Sequence, residues 1–266
     1  MESSGLRTAL RLVTAATLAF IYVPIALIVL YAFNGNLSLR WPIGNLTLRW
    51  FGRALSDEGI RQAVSLSLQV ALGATVVALV LGTFAAFAVS RFRFFGRETV
   101  SFLVILPIAL PGIVTGIALN AAFRQIGLGL GTLTIVIAHA TFCVVVIYNN
   151  AIARLRRSSR SLEEASMDLG ADTFQTFRYV TLPGMRSALV AGALLAFALS
   201  FDEVIVTTFT AGLQQTLPIW ILSNYLRPNQ APLVNVVAVF VLLLSLVPVW
   251  IAARISSDAG AVGGGR

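Results

Sequence analysis

Glu164–Pro183, EASMDLGADTFQTFRYVTLP, is a polar, charged island in a chain that is otherwise mostly apolar. It has the length and composition of a folded element rather than a plain connecting loop. Read as a helix, Leu162, Ala165, Leu169 and Ala171 fall roughly on one side, followed by Phe174 and Phe177, while Glu163, Glu164, Asp168 and Asp172 punctuate the rest. Ser161 with Glu164 three residues on has the pattern of a capping box. Gly170 interrupts the run and permits a sharp turn or close backbone approach. A second short helix is expected over about 172–179, stopped by Pro183 before the next apolar run. The expectation is a helix–turn–helix lying on a membrane face. Its four acidic residues between 163 and 172 would be repelled by anionic lipid, so a protein partner suits it better than a bilayer surface.

The rest of the chain supplies the membrane. Of 266 residues, 58% are hydrophobic and only 11% charged, far from the composition of a soluble domain. A spanning helix needs about 20 apolar residues, and six candidates meet that length, at about 9–33, 63–90, 100–122, 132–153, 187–211 and 233–254. The first is too long, and lacks the small-residue motif, for a cleavable signal. Tyr31 and Trp41 sit near its outer end, as interfacial aromatics do. Pro107 and Pro111 are expected to kink the third span, and Gly73, Gly82, Gly112, Gly116 and Gly192 to allow tight helix packing. Residues 34–62 form a longer outer loop with Trp41, Trp50 and Phe51. Residues 212–232 hold TLPIWILSNYL, too short to span and suited to a surface or re-entrant helix. The stretch from Asp258 to Arg266 is glycine-rich and reads as a flexible tail.

All 19 basic residues are arginines. The lack of lysine excludes a Walker A lysine, and with it ATP binding through a P-loop, and also a Schiff-base lysine. Cys143 is the only cysteine, so no intrachain disulfide forms. The arginines flank the apolar runs and read as topology signals rather than a nucleic-acid surface. With both termini in the cytoplasm, 13 of them lie inside and 6 outside, which the positive-inside rule favours. The same orientation places 154–186 in the cytoplasm.

Asp202 and Glu203, in SFDEVIVTTFTAG, are the only carboxylates in any of the six spans. An Asp at a helix centre costs about 2.5–3.5 kcal/mol on insertion scales, and such groups mark a polar pathway or pair within the bundle. Consecutive helix positions differ by about 100°, so the two acids are expected to face different surroundings. His139 is alone in an apolar span, with no second histidine and no Cys/His cluster to make a metal site. It is expected to hydrogen-bond a neighbouring helix. Asn120, Asn149 and Asn150 read as helix–helix or helix-end residues.

The island also carries a spaced motif. Glu164-Ala165-Ser166, then Gly170, then Val180 and Leu182-Pro183 resemble the EAA-type motif of permease subunits of bacterial ABC importers, with Ser166 in place of alanine and Val180 in place of isoleucine. The resemblance implies an all-α polytopic membrane protein of the MetI-like type, with six transmembrane helices in one domain over 1–258 and a flexible tail at 259–266. It implies that 161–183 is the coupling segment to an ATPase, with Glu164, Ala165, Ser166, Asp168, Gly170, Ala171, Leu182 and Pro183 as its residues.

Further stretches, Pro111–Ile117, Ala138–Cys143 and SFDE, resemble the second permease subunit of spermidine/putrescine importers over about residues 10–254. The implied partners are a second permease, two ATP-binding cassette subunits that carry the ATP and Mg, and an extracytoplasmic binding protein. No cofactor is expected on this chain, which would catalyse no covalent step. The implied setting is the bacterial inner membrane, and the implied cargo is a polyamine passing Asp202 and Glu203. Other cargoes (another organic cation, an amino-acid derivative, ferric iron, a sugar) are the alternative. A secondary transporter, which would favour inverted repeats not found here, and a membrane scaffold stand further off.

Overall fold

The computed structural model describes residues 4–37, 41, 43–225, 227 and 229–261, and the chain divides into two compact units, residues 1–61 with 220–244 and residues 62–219 with 245–266. Its order is α1 (Ser4–Ala32), α2 (Arg49–Ser56), α3 (Glu58–Arg91), α4 (Arg97–Ala109), α5 (Gly112–Gln125), α6 (Thr132–Arg157), α7 (Ser161–Asp168), α8 (Thr173–Thr176), a π-helical turn (Phe177–Thr181), α9 (Leu182–Phe201), α10 (Ile205–Thr210), α11 (Leu217–Tyr225) and α12 (Ala231–Ala261). Among the described residues the only extended pairing is one isolated bridge, Asn34 with Leu46.

Among the described residues, four helical stretches are long and apolar enough to cross a membrane: Gly5–Ala32, Glu58–Arg91, Thr132–Arg157 and Thr173–Phe201. The expected third span is broken in two. α4 and α5 meet at 109°, and together they make a fifth crossing or a re-entrant loop. Pro107 lies inside α4 without ending it, whereas Pro111 caps α5. The break falls at Leu110, whose ψ of 142° is the extended conformation that a following proline imposes. For the expected sixth span, the described apolar stretch is Ala231–Leu246. α12 continues to Ala261, through part of the segment expected to be a flexible tail, and residues 262–266 lie outside the described residues. So does Arg40, one of the arginines counted as outer.

In the larger unit, α6 is the axis. It packs on α9, α10, α4 and α5, and its buried face includes Ile135, Ala138, Cys143, Ile147, Tyr148, Ala151 and Leu155. Small residues on α3 (Ala74, Ala78, Ala86) complete two core clusters with it. The expected close helix contacts occur where glycine permits them. A Cβ at Gly82 would lie 2.8 Å from Ile147, and one at Gly116 would lie 2.6 Å from Phe209. Gly73 and Gly192 are tight as well, while Gly112 has ordinary clearance. In the smaller unit, Trp50 of α2 is buried and donates from Nε1 to the Asn34 carbonyl at 2.9 Å, and Phe51 packs against Phe33 and Phe240. α1 buries none of its apolar window, and Phe20 is 82% exposed, as a helix that meets lipid or another chain would be.

Candidate functional site: a docking island and a helix break

α7 and α8 form the expected helix–turn–helix. Gly170 holds the turn at φ +92°, a conformation that costs a residue bearing a Cβ about 1–2 kcal/mol. Nothing lies within 4 Å of the place its Cβ would occupy, so the glycine serves the turn and an open face rather than internal packing. The capping box expected at Ser161 and Glu164 is absent. Ser161 is already the first helical residue, no side chain caps α7, and the Ser161 N–H is taken by the Ser159 hydroxyl at 3.2 Å. The box is found on the second helix instead. Asp172 Oδ1 accepts from the Gln175 N–H at 2.7 Å, and Gln175 Oε1 accepts from the Asp172 N–H at 3.0 Å.

Pro183 does not stop the second helix, contrary to expectation. From Thr173 the helix runs unbroken to Phe201. The π-helical turn makes this possible. The Leu182 N–H bonds to the Phe177 carbonyl, five residues back, widening the ladder just where the proline lacks a donor and its ring would crowd the preceding turn. Phe177 is buried against Phe84 and Phe87 of α3. The island therefore leads straight into a transmembrane helix.

Of the residues assigned to coupling, Glu164, Ala165, Asp168 and Gly170 are exposed. Ser166 faces inward and shares a 3.2 Å hydrogen bond with Thr176, which holds the two helices together. Ala171 is half-buried, as is Leu182, and Pro183 is exposed. Around them lie Leu162, Met167, Phe174 and Leu169, the last 91% exposed. Exposed apolar side chains thus stand beside exposed carboxylates, the composition expected of an interaction surface.

Nothing in the sequence joined Glu163 of the island to Arg91, counted among the inner arginines. The Arg91 guanidinium at the end of α3 holds the Glu163 carboxylate in a fork, Nε to Oε2 at 2.7 Å and Nη2 to Oε1 at 2.9 Å, with the side chains 10% and 12% exposed. Glu163 also accepts from the Thr181 hydroxyl at 3.1 Å. Arg160 donates to the Ser90 carbonyl at 2.9 Å. In the sequence the two charges stand 72 residues apart, and nothing local to either marks the pair.

The second region is the acidic one. Asp202 and Glu203 were expected on a continuous span over 187–211, but α9 ends at Phe201 and α10 begins at Ile205. The helix is unwound at the two acids, and the 100° argument does not apply to them. Two local features account for the break. Glu203 Oε1 accepts from the Val206 N–H at 2.9 Å, competing with the helical ladder, and the run Val204-Ile205-Val206-Thr207-Thr208 is β-branched. Asp202 is exposed, whereas Glu203 is half-buried and lines a pocket of about 160 Å³ with Pro107, Leu110, Gly112, Thr115 and Phe142. The two helix breaks thus meet. α5 packs on α10, and Asn120 donates to the Phe209 carbonyl between them, the helix-to-helix role expected of it; Asn150 bonds only its own helix at Val146. Thr115 Oγ1, in the same pocket, is a buried hydroxyl with no hydrogen-bond partner. His139 of α6 bonds Ser200 of α9 and Thr207 of α10, both at 2.8 Å, so its two ring nitrogens clamp the helices on either side of the break, as expected of a lone histidine there.

Residues 78–259 match the family of the binding-protein-dependent transport system inner membrane component. The chain belongs to that family. It is similar to the putrescine transport system permease protein PotI of Escherichia coli K12, 37% identical over 84% of this chain and 82% of PotI. It is also similar to the spermidine/putrescine transport system permease protein PotC of the same strain, 32% identical over 91% of this chain and 92% of PotC. Its fold matches a chain of a bacterial alginate ABC transporter in complex with a periplasmic protein bound to an alginate pentasaccharide, at a TM-score of 0.75 and 15% identity, covering 96% of this chain and 94% of that one. The protein is thus a multi-pass inner-membrane permease subunit with the MetI-like ABC importer fold, and not itself an enzyme.

Proposed function

We propose that this permease carries polyamines, putrescine or spermidine, into the cell as part of an ATP-driven importer. It would act beside a second permease, with two ATP-binding cassette subunits that bind the ATP and Mg and an extracytoplasmic binding protein that delivers the cargo. The observation that carries the cargo is the carboxylate pair at the break between α9 and α10, in a chain 37% identical to a putrescine permease. Glu203 points a charge into a pocket whose unpartnered Thr115 hydroxyl is free to accept from an ammonium group. The last carbonyls of α4 and α9, which lack donors within their helices, end at the same place. Unwound helices of this kind are where transporters coordinate charged solutes. The N-termini of α5 and α10 meet there too, and Glu203 already answers the latter.

In this reading residues 1–258 form one permease domain of six spans, with both termini in the cytoplasm. Glu164, Ala165, Ser166, Asp168, Gly170, Ala171, Leu182 and Pro183 belong to the segment, 161–183, that docks on an ATPase subunit. ATP-driven closure of the ATPases moves that segment, and the unbroken helix from Thr173 to Phe201 carries the motion about 30 Å along α9 to the acidic break. The test is uptake of radiolabelled putrescine and spermidine by proteoliposomes holding the assembled importer. ATP-dependent uptake that other solutes fail to compete supports the reading. Transport by the purified chain without an ATPase, or uptake of a different solute class, would replace it.

A further inference from the structure

We infer that the Arg91–Glu163 pair is a positioning lock that makes the docking island and the bundle move as one body; this rests on the coupling role proposed above. The pair sits where four elements converge. Arg91 ends α3, and its guanidinium also reaches the Leu155 carbonyl near the end of α6 at 3.5 Å. Glu163 is in the first turn of α7. Thr181, which donates to Glu163, closes the π-helical turn that opens into α9.

The placement suits both charges, a cation at the C-terminus of α3 and an anion at the N-terminus of α7. A forked arginine–carboxylate contact fixes orientation as well as distance. The covalent link between α6 and α7 is the short stretch Ser158–Arg160, held by the Ser159–Ser161 hydroxyl contact and by single donation from Arg160 to the Ser90 carbonyl, neither of them a fork. Without the lock, a push on α7 would be taken up by flexing of that stretch. With it, the same push reaches α3, α6 and α9 together. Glu163 precedes Glu164, the exposed first residue of the spaced motif, so the two adjacent carboxylates divide the work. One faces into the chain, and the other is left for the partner.

The assembled importer in proteoliposomes tests this with Glu163→Gln, Arg91→Gln and the exchanged pair Arg91→Glu with Glu163→Arg. Uptake, ATP hydrolysis and the melting temperature of the complex are read together. The single variants are expected to lower uptake about tenfold while hydrolysis continues, so that more ATP is spent per solute imported. The exchanged pair is expected to recover uptake to within about threefold of the starting protein. Unchanged uptake per ATP in the single variants overturns the lock. So do parallel losses of uptake, hydrolysis and melting temperature, which would make the pair a matter of stability alone, and an exchanged pair no better than the singles. Failure of the unsubstituted importer to take up any polyamine with ATP would instead overturn the functional reading, and the lock with it.

Discussion

Two interruptions divide the helical run that begins at Ser161 and ends at Thr210. The first, Leu169–Asp172, turns on a glycine at positive φ, is open on its outer side, and is surrounded by exposed Leu169, Met167 and Phe174. The second, Asp202–Val204, has no glycine, turns on a side chain that bonds the backbone, and lies against another broken helix. Both carry carboxylates, but in different settings. At the first, Asp172 is exposed, as are Glu164 and Asp168 on the adjoining α7, where charge is cheap. At the second, a carboxylate enters a pocket walled by proline, leucine and phenylalanine, where charge is costly unless something of opposite sign arrives. Between the two the helix is continuous, because the π-helical turn absorbs Pro183. The contrast matches the two roles proposed for them, docking at the first and solute at the second.

Substitutions that separate the two regions should therefore separate uptake from hydrolysis in different ways. The largest effect is expected at the second break. Asp202→Ala with Glu203→Ala should lower polyamine uptake by about thirtyfold or more, while binding-protein-dependent hydrolysis on the partner subunits persists. Glu203→Gln should account for more of that loss than Asp202→Asn, because the amide oxygen can still cap Val206 and only the charge in the pocket is removed. Equal effects of the two would erase the distinction between the pocketed acid and the exposed one.

Next come substitutions in the packing that joins α5 to α10. Gly116→Leu drives a side chain into Phe209, and overpacking of this kind costs about 1–3 kcal/mol. A lower melting temperature of the purified permease is the readout. His139→Ala leaves the Ser200 and Thr207 hydroxyls without their shared partner, at about 1–3 kcal/mol. It should loosen both sides of the acidic break, seen as faster hydrogen exchange at Ser200 and Thr207 than at Leu217–Tyr225. The smallest effect is expected from the loss of a helix cap. Asp172→Ala removes the cap of α8, worth about 1 kcal/mol, and should raise protease sensitivity at Gly170–Thr173 with little change in melting temperature.

The sequence made the island legible because its information is local. Gly170, the spacing to Leu182-Pro183 and the amphipathic run all lie within 20 residues, and the turn appears where the glycine stands. Pro111 likewise announced the break in the third span, although α4 continues past Pro107 to Ala109. What could not be read was long-range or cooperative. The Arg91–Glu163 fork joins positions 72 residues apart, and Arg91 on its own looks like any arginine at a membrane edge. Pro183 looked like a helix stop because a sequence does not display the wider hydrogen-bond ladder that rescues it. The acids at 202 and 203 were recognised for their charge in an apolar run, but that run reads as one helix until the competition between the Glu203 side chain and the ladder is seen.

The docking island is the proposed point where hydrolysis enters this chain. Gly170→Trp tests that most directly, since nothing lies within 4 Å of the place its Cβ would occupy and the turn is exposed. Gly170→Ala serves as the control for the backbone strain at φ +92°. In the assembled importer, the tryptophan variant should keep the melting temperature of the alanine variant and hydrolyse ATP while importing at least about tenfold less polyamine. Import by the tryptophan variant at the full rate per ATP hydrolysed would contradict the account.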